Sequence, residues 1–172
     1  MNRTFATAAL ATALLTGLTA CSNGTSNSDS SSSQKPGAPA SKPLTASTAF
    51  ASISGKVSSA KLSGTVTAEN DPNHLLGRPN QYTSKVTFTD SRIKAADVTG
   101  TEKGDVERGG AIEVFGSSAD ATARAKYIQA VTKSMPALTE YDYVHDMVLI
   151  RVSHYLTPAQ AASYKTAAAH LS

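Results

Sequence analysis

Residues 140–153 read EYDYVHDMVLIRVS. Two β-rich runs, Glu140–His145 and Met147–Ser153, meet at the polar break His145-Asp146, and this pattern predicts a β-hairpin. Directly after it, Thr157-Pro158-Ala159-Gln160 has the form of a capping box with proline at the first helical position. It opens a helix that places Ala161, Tyr164, Ala168 and Leu171 on an inward face and runs to the end of the chain. On the other side of the hairpin, AIEVF (111–115) predicts a strand. Ser117 or Ser118 then caps a helix over about 119–134 with Ala123, Tyr127, Ile128, Val131 and Met135 as its apolar stripe, ended by Pro136.

Further upstream the same two signals recur. Residues 82–90, YTSKVTFTD, alternate, with Tyr82, Val86 and Phe88 on one face and Thr83, Lys85, Thr87 and Thr89 on the other, which predicts a strand with one wet side. The polar, glycine-interrupted stretch 97–109 predicts a long hairpin loop, and 61–69 a further strand. Ala49, Phe50, Ile53 and Val57 recur at helical spacing within 47–60, with Gly55 as a weak point. In the turn NDPN (70–73), Asp71 and Pro72 predict an N-cap and first residue of a single helical turn through Leu76, stopped by a left-handed Gly77. The order is α-β-β-β-α-β-β-α. Strands joined mostly by turns predict a single small α+β domain, an antiparallel sheet of about five strands covered by helices on one face.

The first residues have a different character. MNRTFATAALATALLTGLTAC carries Arg3, then an apolar stretch from Phe5 to Leu18, then small residues before the one cysteine of the chain. This is the pattern of a secretory signal peptide over 1–20, too short and too rich in threonine for a membrane span. Leu18-Thr19-Ala20-Cys21 resembles the lipobox of bacterial lipoproteins. The resemblance implies cleavage after Ala20 and a diacylglycerol on Cys21, with acyl chains of the palmitate kind. The protein would then be lipid-anchored to the cell membrane on its extracytoplasmic face, each buried methylene adding about 0.8 kcal/mol to membrane residence. Residues 21–44 form a Ser-, Gly- and Pro-rich tether with no large apolar side chain beyond Leu44, on the order of 25 Å from end to end as a random coil. The globular domain is 45–172.

Charge and motifs exclude several classes. Sixteen Lys and Arg stand against 13 Asp and Glu, and loss of Arg3 with the leader leaves a net charge of +2, scattered along the chain, so no nucleic-acid partner is expected. Four histidines, one cysteine and no H-E-x-x-H spacing predict neither metal site nor cofactor. His145, Asp146 and His154 flank the last two strands and are the one place where a metal-dependent or enzymatic site could assemble across a hairpin. Gly116-Ser117-Ser118 lacks the G-x-S-x-G form of a nucleophile elbow and reads as a helix cap, so no catalytic residue is assigned. The carboxylate pairs Glu69/Asp71 and Asp105/Glu107 lack a calcium-loop pattern.

The most patterned loop is DPNHLLGRPNQY, residues 71–82, and it combines aliphatic, cationic, amide and aromatic groups. His74, Arg78, Asn80 and Tyr82 are its candidate binding surface. The alternative role of this loop is structural, Leu75 and Leu76 plugging the end of the core while Arg78 and Asn80 are wet. The stretches DPNHLLGRPNQYTSK (71–85), GGAIEVF (109–115) and YDYVH (141–145), with the TPAQ helix, resemble a group of uncharacterised actinobacterial cell-envelope lipoproteins. The resemblance spans Leu44 to the C-terminus and implies an envelope address, with no activity attached. These readings converge on a non-catalytic binding or accessory module serving a protein or envelope ligand.

Overall fold

The structure, a computed structural model, describes residues 43–171; the leader, Cys21 and nearly all of the tether lie outside the described residues. Five strands, β1 (Ala60–Thr65), β2 (Ser84–Asp90), β3 (Gly109–Val114), β4 (Glu140–His145) and β5 (Val148–Ser153), form one sheet in the order β1-β2-β3-β5-β4. Every neighbouring pair is antiparallel. Three helices, α1 (Ala46–Ser54), α2 (Ser118–Lys133) and α3 (Pro158–Ala168), complete the α+β domain in the expected element order. Among the described residues no helix is long and apolar enough to cross a membrane.

Local chemistry sets the helix ends. Thr45 and Thr48 cap α1 reciprocally, and the helix stops at Gly55, short of the predicted 60. Ser117 accepts the Asp120 N–H to start α2, and Thr157 and Gln160 form the predicted capping box of α3. Each such cap is worth about 1 kcal/mol. The 140–153 hairpin forms as read, with His145 facing Val148 across a two-residue turn whose Asp146 has φ 47°.

One sheet face is apolar. The register Val86–Ile112–Ile150–Tyr143 runs straight across four strands, and Phe88–Gly110–Val152–Tyr141 lies beside it. Both α1 and α3 cover this face with Phe50, Ile53, Ala161 and Tyr164. The Phe88 ring lies 5.8 Å from Phe50 and 5.1 Å from Tyr164, centroid to centroid. It reaches Tyr164 only because residue 110 has no side chain: a Cβ there would overlap the Phe88 ring and the Arg151 carbonyl.

The opposite face is not wet, contrary to the alternation of β2. Helix α2 crosses from β3 to β4 over its β4–β5 half, so helices lie on both faces of the sheet and not one, while the 70–73 and 102–105 loops border Lys85 and Thr87, which are only 6% and 7% exposed. The helix also turns a different side inward. Its buried residues are Ala121, Ala125 and Ile128, while Ala123 and Met135 are exposed and Tyr127 is 61% exposed. Two alanines fit where the helix approaches Leu149 and Phe115 closely, and a tyrosine does not. Strand β1 is also shorter than read, ending at Thr65, and a bulge between Leu62 and Gly64 shifts its register on β2.

Gly110→Ala is expected to cost about 3 kcal/mol by overpacking between Phe88 and the β5 backbone, measured by denaturant unfolding; a change below about 1 kcal/mol would contradict this packing.

Candidate functional site

The 70–82 loop is built around one carboxylate. Asp71, 1% exposed, accepts backbone N–H bonds from Asn73 (3.1 Å), Leu75 (2.8 Å) and Leu76 (2.9 Å), and the Tyr82 hydroxyl donates to it at 2.7 Å. No helical turn forms over 72–76. The bonds expected of an N-cap are made instead to a coiled turn, closed where the Gly77 N–H donates to the Tyr82 carbonyl at 2.9 Å. Gly77 is left-handed as expected, at φ 75°. Burial pushes the Asp71 carboxyl up, but the Tyr82 hydroxyl and the Leu76, Leu75 and Asn73 amides outweigh it and hold it at about 2.

This geometry separates the candidate residues. Tyr82 is fully buried, edge-on to Phe115 at 6.3 Å, so it anchors the loop from inside and is no part of a contact surface. His74, Arg78 and Asn80 are exposed, while Leu75 and Leu76 pack partly buried against the Tyr82 cluster. His74 and Asn80 hold left-handed backbone, at φ 51° and 61°.

A second polar centre lies under α2. Glu113 is completely buried on β3, with Lys85 Nζ 3.0 Å and Arg151 Nη1 3.3 Å from Oε1, and Arg124 Nε 3.4 Å from Oε2. Arg151 also grips Glu140 through two bonds of 2.7 and 2.8 Å. Burial pushes the Glu113 carboxyl up, and the charges of Lys85, Arg151 and Arg124 override it and hold the carboxyl below its usual range. Among the described residues, Asp142, opposite Arg151 on β4, has no hydrogen-bond partner for either buried oxygen; burial and then the neighbouring Glu140 carboxylate push it up to about 8. The sequence signal for this centre is the single charge inside each of the apolar runs AIEVF and VLIRVS.

Two clefts adjoin α2. One of about 310 Å³ runs between α2, the 104–107 loop and the sheet, with Lys85, Arg124 and Arg151 in its wall. Another of about 350 Å³ lies between α2 and the loop, bordered by Leu75, Asn80, Gln81, Arg124 and Tyr127. The histidines suggested by the hairpin do not meet. His145 ends β4 at the hairpin turn, 3.7 Å from the exposed Asp146, whereas His154 follows the far end of β5, its ring tilted against Tyr155 at 4.2 Å between centroids. A six-residue strand, about 17–20 Å, separates them. Among the described residues no three His, Cys, Asp or Glu side chains converge on a metal-sized site. Ser117 is occupied as a cap, its hydroxyl donating to Asp120 at 2.7 Å. Comparisons with protein-family models, with curated proteins and with solved structures gave no match.

The two shifted carboxyls predict opposite pH effects. Asp71 has a depressed value when folded, so its contribution is present above the unfolded value of 3.8 and is lost as pH falls toward 2. Asp71→Asn should therefore cost about 2 kcal/mol at pH 7, with the difference closing near pH 2. Asp142 is raised when folded, so its contribution is full below 3.8 and is lost as pH climbs to about 8. Asp142→Asn should match the parent in melting temperature at pH 4 and exceed it by several degrees at pH 8. Parallel profiles for parent and variant would refute either assignment.

Proposed function

We propose that the chain is a lipid-anchored lipoprotein on the extracytoplasmic face of the cell membrane, a non-catalytic module that contacts a protein or envelope ligand through the exposed part of the 71–82 loop. The address rests on the sequence alone: the lipobox-like Leu18-Thr19-Ala20-Cys21, with a polar tether behind it. The contact surface rests on one structural observation. His74 and Asn80 occupy left-handed backbone, which disfavours residues with side chains, and both still point polar groups outward from a rigid frame. Backbone strain held in place by a buried network, here Asp71 and Tyr82, accumulates where a surface is preorganised for recognition.

The neighbouring cleft adds an aromatic and a cation of the kind enriched where binding energy concentrates. The Arg124 guanidinium sits 5.6 Å over the ring of the exposed Tyr127, and Asn80 borders the same cleft. Rigidity matters here because a loop already fixed in its bound form loses little entropy on contact.

Two experiments test this reading. Cys21→Ser should shift nearly all of the protein out of the membrane fraction or leave an uncleaved precursor, and a processed form still held at the membrane would refute the anchor. A photo-crosslinking residue at Arg78 should give a discrete adduct in cells, lost on His74→Ala. The same probe at Thr166, exposed on α3, should give none. Identical adducts from both positions would remove the loop from the proposal.

A further inference from the structure

The sheet face beneath α2 carries more cationic hydrogen-bonding capacity than the protein uses. The Lys85 ammonium has three N–H groups and, among the described residues, one ion-pair partner, Glu113, with the Tyr82 ring 5.1 Å away. Arg124, a fork of five donors, has Glu113 Oε2 at 3.4 Å and, among the described residues, no hydrogen bond from its buried Nε. Arg151, the third cation, is already engaged with Glu140 and Glu113. Lys85 and Arg124 both border the 310 Å³ cleft, and the wall that α2 and the following turn supply is apolar: Ile128, Val131 and Leu138. A concave apolar surface with a few convergent charged donors is the form of a small-ligand site.

We propose that this cleft binds a small organic monoanion, a carboxylate on a short apolar chain or ring. The carboxylate takes the spare donors of Lys85 and Arg124 as charge-assisted bonds, and the apolar body lies against Ile128, Val131 and Leu138. Local charge sets the limit of one. Glu140 borders the same cleft, and Asp105 and Glu107 stand on its loop side. A phosphate dianion would meet those three carboxylates with twice the charge, and an ammonium ligand would bring a further positive charge against Lys85 and Arg124 and offer no acceptor to their spare donors. Pro72 and Asn73 of the 71–82 loop border this cleft and Arg124 borders both clefts, but the carboxylate site stands whether or not the protein is membrane-anchored.

Titration of the purified full chain with hexanoate, followed by calorimetry and by hydrogen-exchange protection of α2, tests the assignment. Expected are saturable binding, protection over 124–131, at least tenfold weaker binding of hexanol and of hexyl phosphate, and none of hexylamine. Lys85 faces the buried Glu113 and its removal endangers the fold, so the variants act elsewhere. Arg124→Gln should weaken hexanoate at least tenfold. Val131→Phe, filling the cleft from its partly exposed rim, should abolish binding while melting within a few degrees of the parent. No saturable binding up to ~20 mM hexanoate, a weak limit for any specific site, would overturn the proposal. So would equal affinity for hexanol, hexylamine or hexyl phosphate, or unchanged binding by both variants.

Discussion

Glu113 stands in the middle strand of the sheet without solvent contact, and the α2 side of the domain is arranged to keep its charge. An ionised carboxylate in that position is tolerable only with partners on every side, because its desolvation costs several kcal/mol. The register supplies two of them and α2 the third. Lys85 is directly opposite on β2, Arg151 is diagonal on β5, and Arg124 descends from α2. Removing one partner from such a cluster typically costs about 3–5 kcal/mol, so the charges act less as a source of stability than as a restriction on alternatives. A one-residue slip of β2 on β3 would turn Lys85 to the apolar face and bring Val86 opposite Glu113.

The domain solves the same problem twice more with different means. Asp71 and Asp90 are both buried, and each takes a tyrosine hydroxyl, from Tyr82 at the other end of the same loop and from Tyr164 on α3, at 2.7 and 2.6 Å. Asp71 completes its shell with backbone amides, and Asp90 with Arg92, 2.6 Å away, and Ser59. Burial raises both phenols and the adjacent carboxylates raise them further, so each tyrosine stays a donor at any physiological pH. The first network fixes the loop that carries His74 and Asn80, and the second ties the end of β2 to α3.

What the sequence disclosed was local. The 140–153 hairpin, the Thr157–Gln160 box, the Ser117 cap and the left-handed Gly77 each depend on a few adjacent residues, and each forms. What it concealed required knowing which element lies above which. The alternation of β2 reads as one wet face because Lys85 and Thr87 are polar, yet a crossover helix and two loops shield that face. The α2 stripe read from large side chains points to Tyr127, but the close approach to Leu149 selects Ala121 and Ala125. Tyr82 was grouped with exposed neighbours because nothing in a linear pattern shows that its hydroxyl meets Asp71, eleven residues earlier.

The clefts follow from the width of the sheet. Five strands at about 4.8 Å spacing span roughly 20 Å, and a helix with its side chains covers about 10 Å. On the apolar face two helices suffice, α1 over β1, β2 and β3 and α3 over β5 and β4. On the other face there is one, and because α2 leaves β3 and must deliver the chain to β4 at the far edge, it lies over β4 and β5. The β1–β2 half is left to Pro72, Asn73 and the 104–107 loop, which cannot fill it as a helix would. Polar side chains on that half are therefore shielded from bulk water without being closely packed. That is the condition under which Lys85, on β2, and Arg124, reaching in from α2, have unused donors.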